Sequence, residues 1–298
     1  MDVTRRILFE STTLQIVVFA ACNVSEACGD VERQTRNVVV LPLSGVFSKH
    51  DAPGRHVIGT PSHAVFIAAD TPYRLGYPGA IGDRALILRF DDAHAPGGRD
   101  QDGGDGGGGE APASNGLLPA EAMMLRTLLC ARLMSGEAGE FENEALGLDL
   151  LAMSLGAMRR GDTSMRRATT ARWISALQRV KEAVATAPAD PWNVDKLARI
   201  AHLSPFHLCR VFRRMTGASI YGYVLRERLA ATLDAVLDGA DLTTVALDAG
   251  FASHSHFTAR FRDFFGCTPA ALRRRASAGK VAELRKIATA RRSSVVLG

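Results

Sequence analysis

Two stretches of the chain carry the same chemistry at the same spacing. Ser204-Pro205-Phe206-His207-Leu208-Cys209-Arg210-Val211-Phe212-Arg213 is followed 49 residues later by Ser253-His254-Ser255-His256-Phe257-Thr258-Ala259-Arg260-Phe261-Arg262. Each stretch runs on to a glycine, Gly217 and Gly266. At about 100° per residue, Leu208, Val211, Phe212 and Met215 share one face of the first helix, and Phe257, Phe261 and Phe264 share one face of the second. The outward arc of the first then carries Phe206, Arg210 and Arg213, with Cys209 and Arg214 at its edges. That of the second carries Ser255, Ala259 and Arg262, with Thr258 at the edge. Guanidinium and small polar groups on such a face suit phosphate oxygens and base edges.

The elements that must hold these faces are also duplicated. A short apolar-periodic helix precedes each, over Val194–Ala201 and residues 243–249. Helix, tight turn and Ser-capped helix is the helix-turn-helix pattern, here twice. Between the copies, residues 220–237 keep helical periodicity through Val224, Leu225, Leu229, Leu233, Val236 and Leu237. A rod of that length spans about 27 Å. It would set two recognition helices about 34 Å, one DNA turn, apart.

Charge follows the same division. The chain has 298 residues and a net charge of +5. Residues 1–165 hold 14 Lys/Arg against 21 Asp/Glu, whereas residues 166–298 hold 22 against 10. An acidic half joined to a basic half implies that one of two domains meets a polyanion. The apolar content of 47% excludes wholesale disorder, and no apolar run is long enough to span a bilayer. Arg5-Arg6 ahead of an apolar stretch resembles an export signal, but Glu10 and Gln15 interrupt it and the stretch reads as a strand. Five scattered cysteines make no disulfide framework and suit a reducing cytoplasm.

In the acidic half, residues 7–22, 37–48, 63–75 and 84–90 read as strands bounded by Gly, Pro or Asp, which points to an antiparallel sandwich or barrel. Residues 91–115 contain eight glycines between Gly97 and Gly109 and read as a flexible loop, without the Gly-Lys-Ser/Thr ending of a phosphate cradle. Leucines after Pro119 imply two amphipathic helices broken near Ser135-Gly136, able to close the barrel or to form a dimer seam. Phe47, Phe66, Tyr73 and Tyr77 are barrel aromatics that could line a pocket, although such residues are more often core. Cys22 and Cys28 read as buried structural thiols, with soft-metal binding beside His50 or His63 as the alternative. His254 and His256 lie about 200° apart on a helix and cannot share an ion. Gly217-Ala218-Ser219-Ile220-Tyr221-Gly222 misses the nucleophile elbow by one residue. No catalytic residue, metal or cofactor is expected.

Residues 173–275 resemble the AraC/XylS family of bacterial transcription regulators. The resemblance rests on Leu208-x-Arg210-x-Phe212-x4-Gly217, on Tyr223 with Arg228-Leu229, and on Ala249-Gly250-Phe251-x-Ser253-x2-His256-Phe257. It closes with Phe261-x4-Gly266-x-Thr268-Pro269-x3-Arg273. It implies an α+β two-domain chain: a cupin-like N-terminal antiparallel β-barrel with a helical pair, and an all-α double helix-turn-helix domain. The expected division is a sensor and dimerisation domain over 1–160 with a flexible loop at 91–116, a linker at 161–171, a DNA-binding domain over 172–276, and a basic tail over 277–298. The implied function is a cytoplasmic, nucleoid-associated regulator that binds double-stranded promoter DNA, contacts RNA polymerase as an activator and answers a small-molecule effector, as a possible homodimer without membrane attachment. The alternative is a catalytic or metal-sensing barrel fused to a DNA reader. Base contacts carried over from the family fall on Phe206, Cys209 and Arg210, and on His254, Ser255, His256 and Ala259. At Ala259 the family commonly has Arg, so the first unit is expected to dominate base discrimination.

Overall fold

The computed structural model describes residues 1–52, 55–91, 114–136, 139–158 and 167–277. Its N-terminal part consists of β1 (Asp2–Glu10), β2 (Leu14–Cys22), β3 (Asn37–Gly45), β4 (Phe47–Ala52), β5 (Arg55–Gly59), β6 (His63–Ile67), β7 (Arg74–Gly76), β8 (Asp83–Phe90) and β9 (Asn115–Leu117). Helices α1 (Ala120–Met134) and α2 (Glu140–Met158) complete it.

The strands form an antiparallel sheet ordered β1-β2-β8-β3-β6-β9 and a smaller one ordered β5-β4-β7. Strand alternation sorts the larger sheet into two faces. Leu14, Ile16, Val39, Leu41, Leu86 and Leu88 point to α1 and α2, where Leu125, Leu129, Leu146 and Leu150 meet them. Phe19, Val38, Val40, Val65 and Ile67 point the other way and pack on Phe47, Val57 and Tyr73 of the smaller sheet. The inner strands are thus buried on both faces against different layers, which fixes their register, whereas the edge strand β1 is largely exposed.

The sequence expectation of four strands merged neighbours. Residues 7–22 are the two arms of a hairpin turned at residues 11–13, and 37–48 divide between β3 and β4. Residues 63–75 hold β6 and β7, while β5 and β9 were missed because three to five residues leave little periodicity to detect. Asn115 and Gly116, expected in the glycine-rich loop, pair with β6; residues 92–113 lie outside the described residues. The break between α1 and α2 falls where Ser135-Gly136 indicated.

The C-terminal part is helical: α3 (Arg167–Thr186), α4 (Val194–Ala201), α5 (Pro205–Thr216), α6 (Ile220–Ala231), α7 (Leu233–Leu237), α8 (Leu242–Asp248), α9 (His254–Phe265) and α10 (Pro269–Ser277). Helix α3 begins inside the segment expected as linker; residues 161–166 and the tail beyond 277 lie outside the described residues. The expected single rod over 220–237 is jointed at Thr232, whose hydroxyl donates to the Leu229 carbonyl at 2.8 Å.

Candidate nucleic-acid interface

Both helix-turn-helix units are built by the same local devices. The Ser204 hydroxyl accepts from the His207 amide at 3.3 Å, and the Ser253 hydroxyl accepts from the His256 amide at 3.2 Å. These caps satisfy amides that α5 and α9 would otherwise leave open. Both helices end on a left-handed glycine, Gly217 (φ 73°) and Gly266 (φ 75°). The turns differ by one residue: the left-handed turn position is His202 in the first unit and Gly250 in the second, 48 rather than 49 residues on. At Gly250 a side chain is also excluded by space, since a Cβ would stand 2.5 Å from the Ala189 carbonyl oxygen.

The first expected face is presented to solvent in full. Leu208, Val211 and Phe212 are buried and Met215 is half-buried, whereas Phe206, Cys209, Arg210, Arg213 and Arg214 are exposed. Phe206 is 78% exposed at the start of α5. In α9, Phe257 and Phe261 are buried with Phe265, and Phe264 is half-buried. His254, Ser255, His256 and Arg262 are exposed, while Thr258 and Ala259 are half-buried. His256 is engaged within the unit: its ring meets Phe251 edge-on at 5.6 Å and accepts from Arg260 Nε at 3.4 Å. Arg260 also approaches Asp263 at 3.9 Å, so a carboxylate sits on the outer side of α9 with no counterpart on α5. The second face is therefore less cationic than the first.

Several arginines hold the fold together. Arg228 on α6 donates to four carbonyls: Pro188 at 2.8 Å, Gly250 at 2.9 Å, Ala189 at 3.3 Å and Asp190 at 2.7 Å. It clips the loop before the first unit to the turn of the second. Arg179 donates to Ile200 and Ala201 and Arg273 to Val236, carbonyls at helix ends where a cation is favoured, and Arg273 also donates to Ala240 in the connection between α7 and α8.

The two parts of the chain meet across a buried polar seam that was not expected from the sequence. Glu227 of α6, 2% exposed, accepts from Thr60 Oγ1 at 2.9 Å and from Ser62 Oγ. Because Thr60 gives its proton to Glu227, the 2.7 Å contact with His63 Nδ1 assigns that nitrogen as donor. Burial pushes the Glu227 carboxyl up, against the hydrogen bonds that hold it down. Burial also keeps His63 neutral by moving its pKa well down. Lys181 of α3 is depressed to about 8 by burial, partly offset by Glu227. Nearby, Arg84 of β8 pairs with Asp234 of α7 at 2.9 Å, and the fully buried Arg126 of α1 donates to the carbonyls of Pro42 and Pro61. The Ile58 amide donates to Gln178 Oε1 of α3 at 3.1 Å.

A cavity lies between the two sheets, enclosing about 500 Å³ of space with its open mouth included. Phe47 and Tyr73 line it; Phe66 faces the helices instead, and Tyr77 is buried beside the cavity core. Cys22 and Cys28 are exposed, contrary to the reading as buried thiols; the buried thiols are Cys130 and Cys267. His63 is in the seam, while Cys28 Sγ and His50 Nε2 both approach Gly76. Among the described residues no group of three His, Cys, Asp or Glu is arranged to hold a metal ion, and no helix is long and apolar enough to cross a membrane.

Residues 197–275 match the family model described as a helix-turn-helix domain. A curated relative named HTH-type transcriptional regulator GlxA, from Rhizobium meliloti, is 29% identical over 169 residues, covering 56% of this chain and 50% of its own. HTH-type transcriptional regulator MtrA of Neisseria gonorrhoeae is 33% identical over 94 residues, 29% of either chain. The chain thus spans half or less of the length of these two relatives. A solved structure from Chromobacterium violaceum, titled a transcriptional regulator with an AraC-type DNA-binding domain, is 23% identical, covers 35% of this chain and 95% of its own, and has a TM-score of 0.33. Residues 197–275 form a helix-turn-helix domain.

Proposed function

We propose that this chain, whose residues 197–275 form a helix-turn-helix domain, is a sequence-specific, non-enzymatic transcriptional regulator of the AraC type whose N-terminal domain answers a small-molecule effector. The observation that carries the reading is the pair of Ser-capped helices, α5 and α9, repeated at a constant offset, with the Arg210–Arg213–Arg214 face of the first open to solvent. Guanidiniums there would reach base edges and phosphates, with Phe206 and Cys209 alongside. In α9 the contacts would come from His254, Ser255, His256, Thr258, Ala259 and Arg262. Activation through RNA polymerase, pairing of two copies and a place on the nucleoid are the finer parts of the proposal.

The seam supplies a route for control. Glu227 lies on the helix that joins the two DNA-reading units, and it accepts from Thr60 and Ser62 in the turn between β5 and β6 of the N-terminal part. An effector with different affinity for two arrangements of this junction would shift how the units are presented. The test is selection of genomic fragments by the purified chain and by Arg210→Ala. Recovery of a defined motif, with one or two positions relaxed in the variant, supports the reading. Fragment recovery that tracks only length and salt overturns it.

A further inference from the structure

The cavity between the sheets is lined by charge at separated places along one strand. Asp83 and Arg89 both stand on the inner face of β8, six residues apart in its register, which places their backbones about 20 Å from each other. The wall between them is apolar, built from Ile87, Val38, Val40, Phe19 and Phe47.

Arg89 marks one pole, and Arg5 of β1, level with Ala85 in the register, brings a second cationic charge to bear on it. Arg5 reaches in from β1 with its guanidinium 5.7 Å from the Phe19 ring centre, and its charge depresses the ionisation of Arg89 after burial has done so. Arg89 Nη1 donates to Gln15 at 2.9 Å, but its Nε is shielded from water and has no hydrogen-bond partner among the described residues. One carboxylate, Glu32, stands nearby and is already engaged by the Tyr73 hydroxyl at 3.0 Å, which in turn accepts from Gln34 at 2.6 Å. Two cations facing one occupied carboxylate leave room for one more negative charge.

The other pole is the reverse. Asp83 is 7% exposed, and its Oδ1 has no hydrogen-bond partner among the described residues. Burial alone accounts for its rise to about 7, so neither guanidinium reaches it. A buried acceptor left open at the wall of a cavity costs free energy that a donor from a bound molecule recovers.

The geometry points to a bipolar effector: an apolar body carrying a carboxylate that seats between Arg5 and Arg89 and an amine that donates to Asp83. This rests on the reading of the N-terminal domain as a sensor and specifies the class of molecule sensed. Neither a simple fatty acid nor a simple amine fills both poles.

Calorimetric titration of the full chain at pH 8 with ω-aminooctanoate, octanoate and octylamine tests it. The bipolar probe binds at least about tenfold more tightly than either single-pole probe, the gain of one charge-assisted hydrogen bond. Asp83→Asn abolishes its advantage over octanoate, and Arg89→Gln its advantage over octylamine. Equal affinity for octanoate or octylamine in the unaltered chain, or no binding by any of the three, overturns the assignment without relying on either variant. The sensing reading fails differently: ω-aminooctanoate binds as described yet leaves affinity for the selected DNA unchanged.

Discussion

Removing the Arg228 side chain should separate the two DNA-reading units while leaving each intact. The guanidinium spans four carbonyls, three within 2.9 Å and one at 3.3 Å, on two loops that also touch where Gly250 packs on Ala189. A hydrogen bond to a charged group is worth about 1.5–3 kcal/mol when its partner is left buried. Arg228 is half-buried, so in Arg228→Ala water replaces part of that loss. The expected net cost is about 2–4 kcal/mol. Arg228→Lys keeps the charge but cannot reproduce the fork, and should recover less than half of it. Urea denaturation followed by circular dichroism gives the stability. Binding to DNA with one or two half-sites, and with altered spacing between them, gives the coupling. The variant should lose its preference for the native spacing before it loses affinity for a single half-site. A stability change under about 0.5 kcal/mol together with unchanged spacing dependence would refute the role.

Other expectations concern separate parts of the molecule. Arg210→Ala should lose about 1–3 kcal/mol of specific binding and relax one or two base positions, measured by site selection, while Phe206→Ala, at an exposed position, should lower DNA affinity with stability changed by under about 0.5 kcal/mol. Asp83 has a folded pKa of about 7 against an ordinary 3.8, so its contribution is fully present below about pH 4 and is lost as pH rises through 7, at most about 4 kcal/mol. Asp83→Asn should therefore flatten the melting temperature between pH 4 and 8 and raise it at the upper end; an unchanged profile would show that the carboxyl is not dry. Glu227→Ala strands the Thr60 and Ser62 hydroxyls and should cost about 2–4 kcal/mol, with faster hydrogen exchange in α6 and around residues 60–63. Exchange unchanged at both places would remove the seam from any account of coupling.

The helical half was the more legible because its signals are local. Serine caps, left-handed glycines and apolar residues at helical spacing act within one or two turns, and the second copy at a fixed offset repeats them. The sheets were less legible: the hairpin between β1 and β2 is marked only by the four polar residues 10–13, too short a break to separate two strands without Gly or Pro, and β9 returns after a long glycine-rich stretch that gives no hint of its partner. The seam depends on contacts between residues more than a hundred apart, yet one trace of it is in the sequence. Ile220, Tyr223, Val224 and Glu227 follow helical spacing, and all four are buried. A carboxylate on an apolar stripe needs partners from elsewhere in the fold. The cavity poles had the same weakness as signals, since Asp83 and Arg89 gain meaning only when β8 is known to be flanked on both sides.

The most direct measurement compares the full chain's affinity for a selected duplex with that for the same bases shuffled, at physiological ionic strength. Specific readers of DNA exceed their own non-specific binding by about 10³-fold or more. The account predicts at least that ratio for the unaltered chain and a fall toward unity when Arg210 and Arg213 are replaced together. Equal affinities for the two duplexes, with a steep loss of both as salt rises, would contradict it.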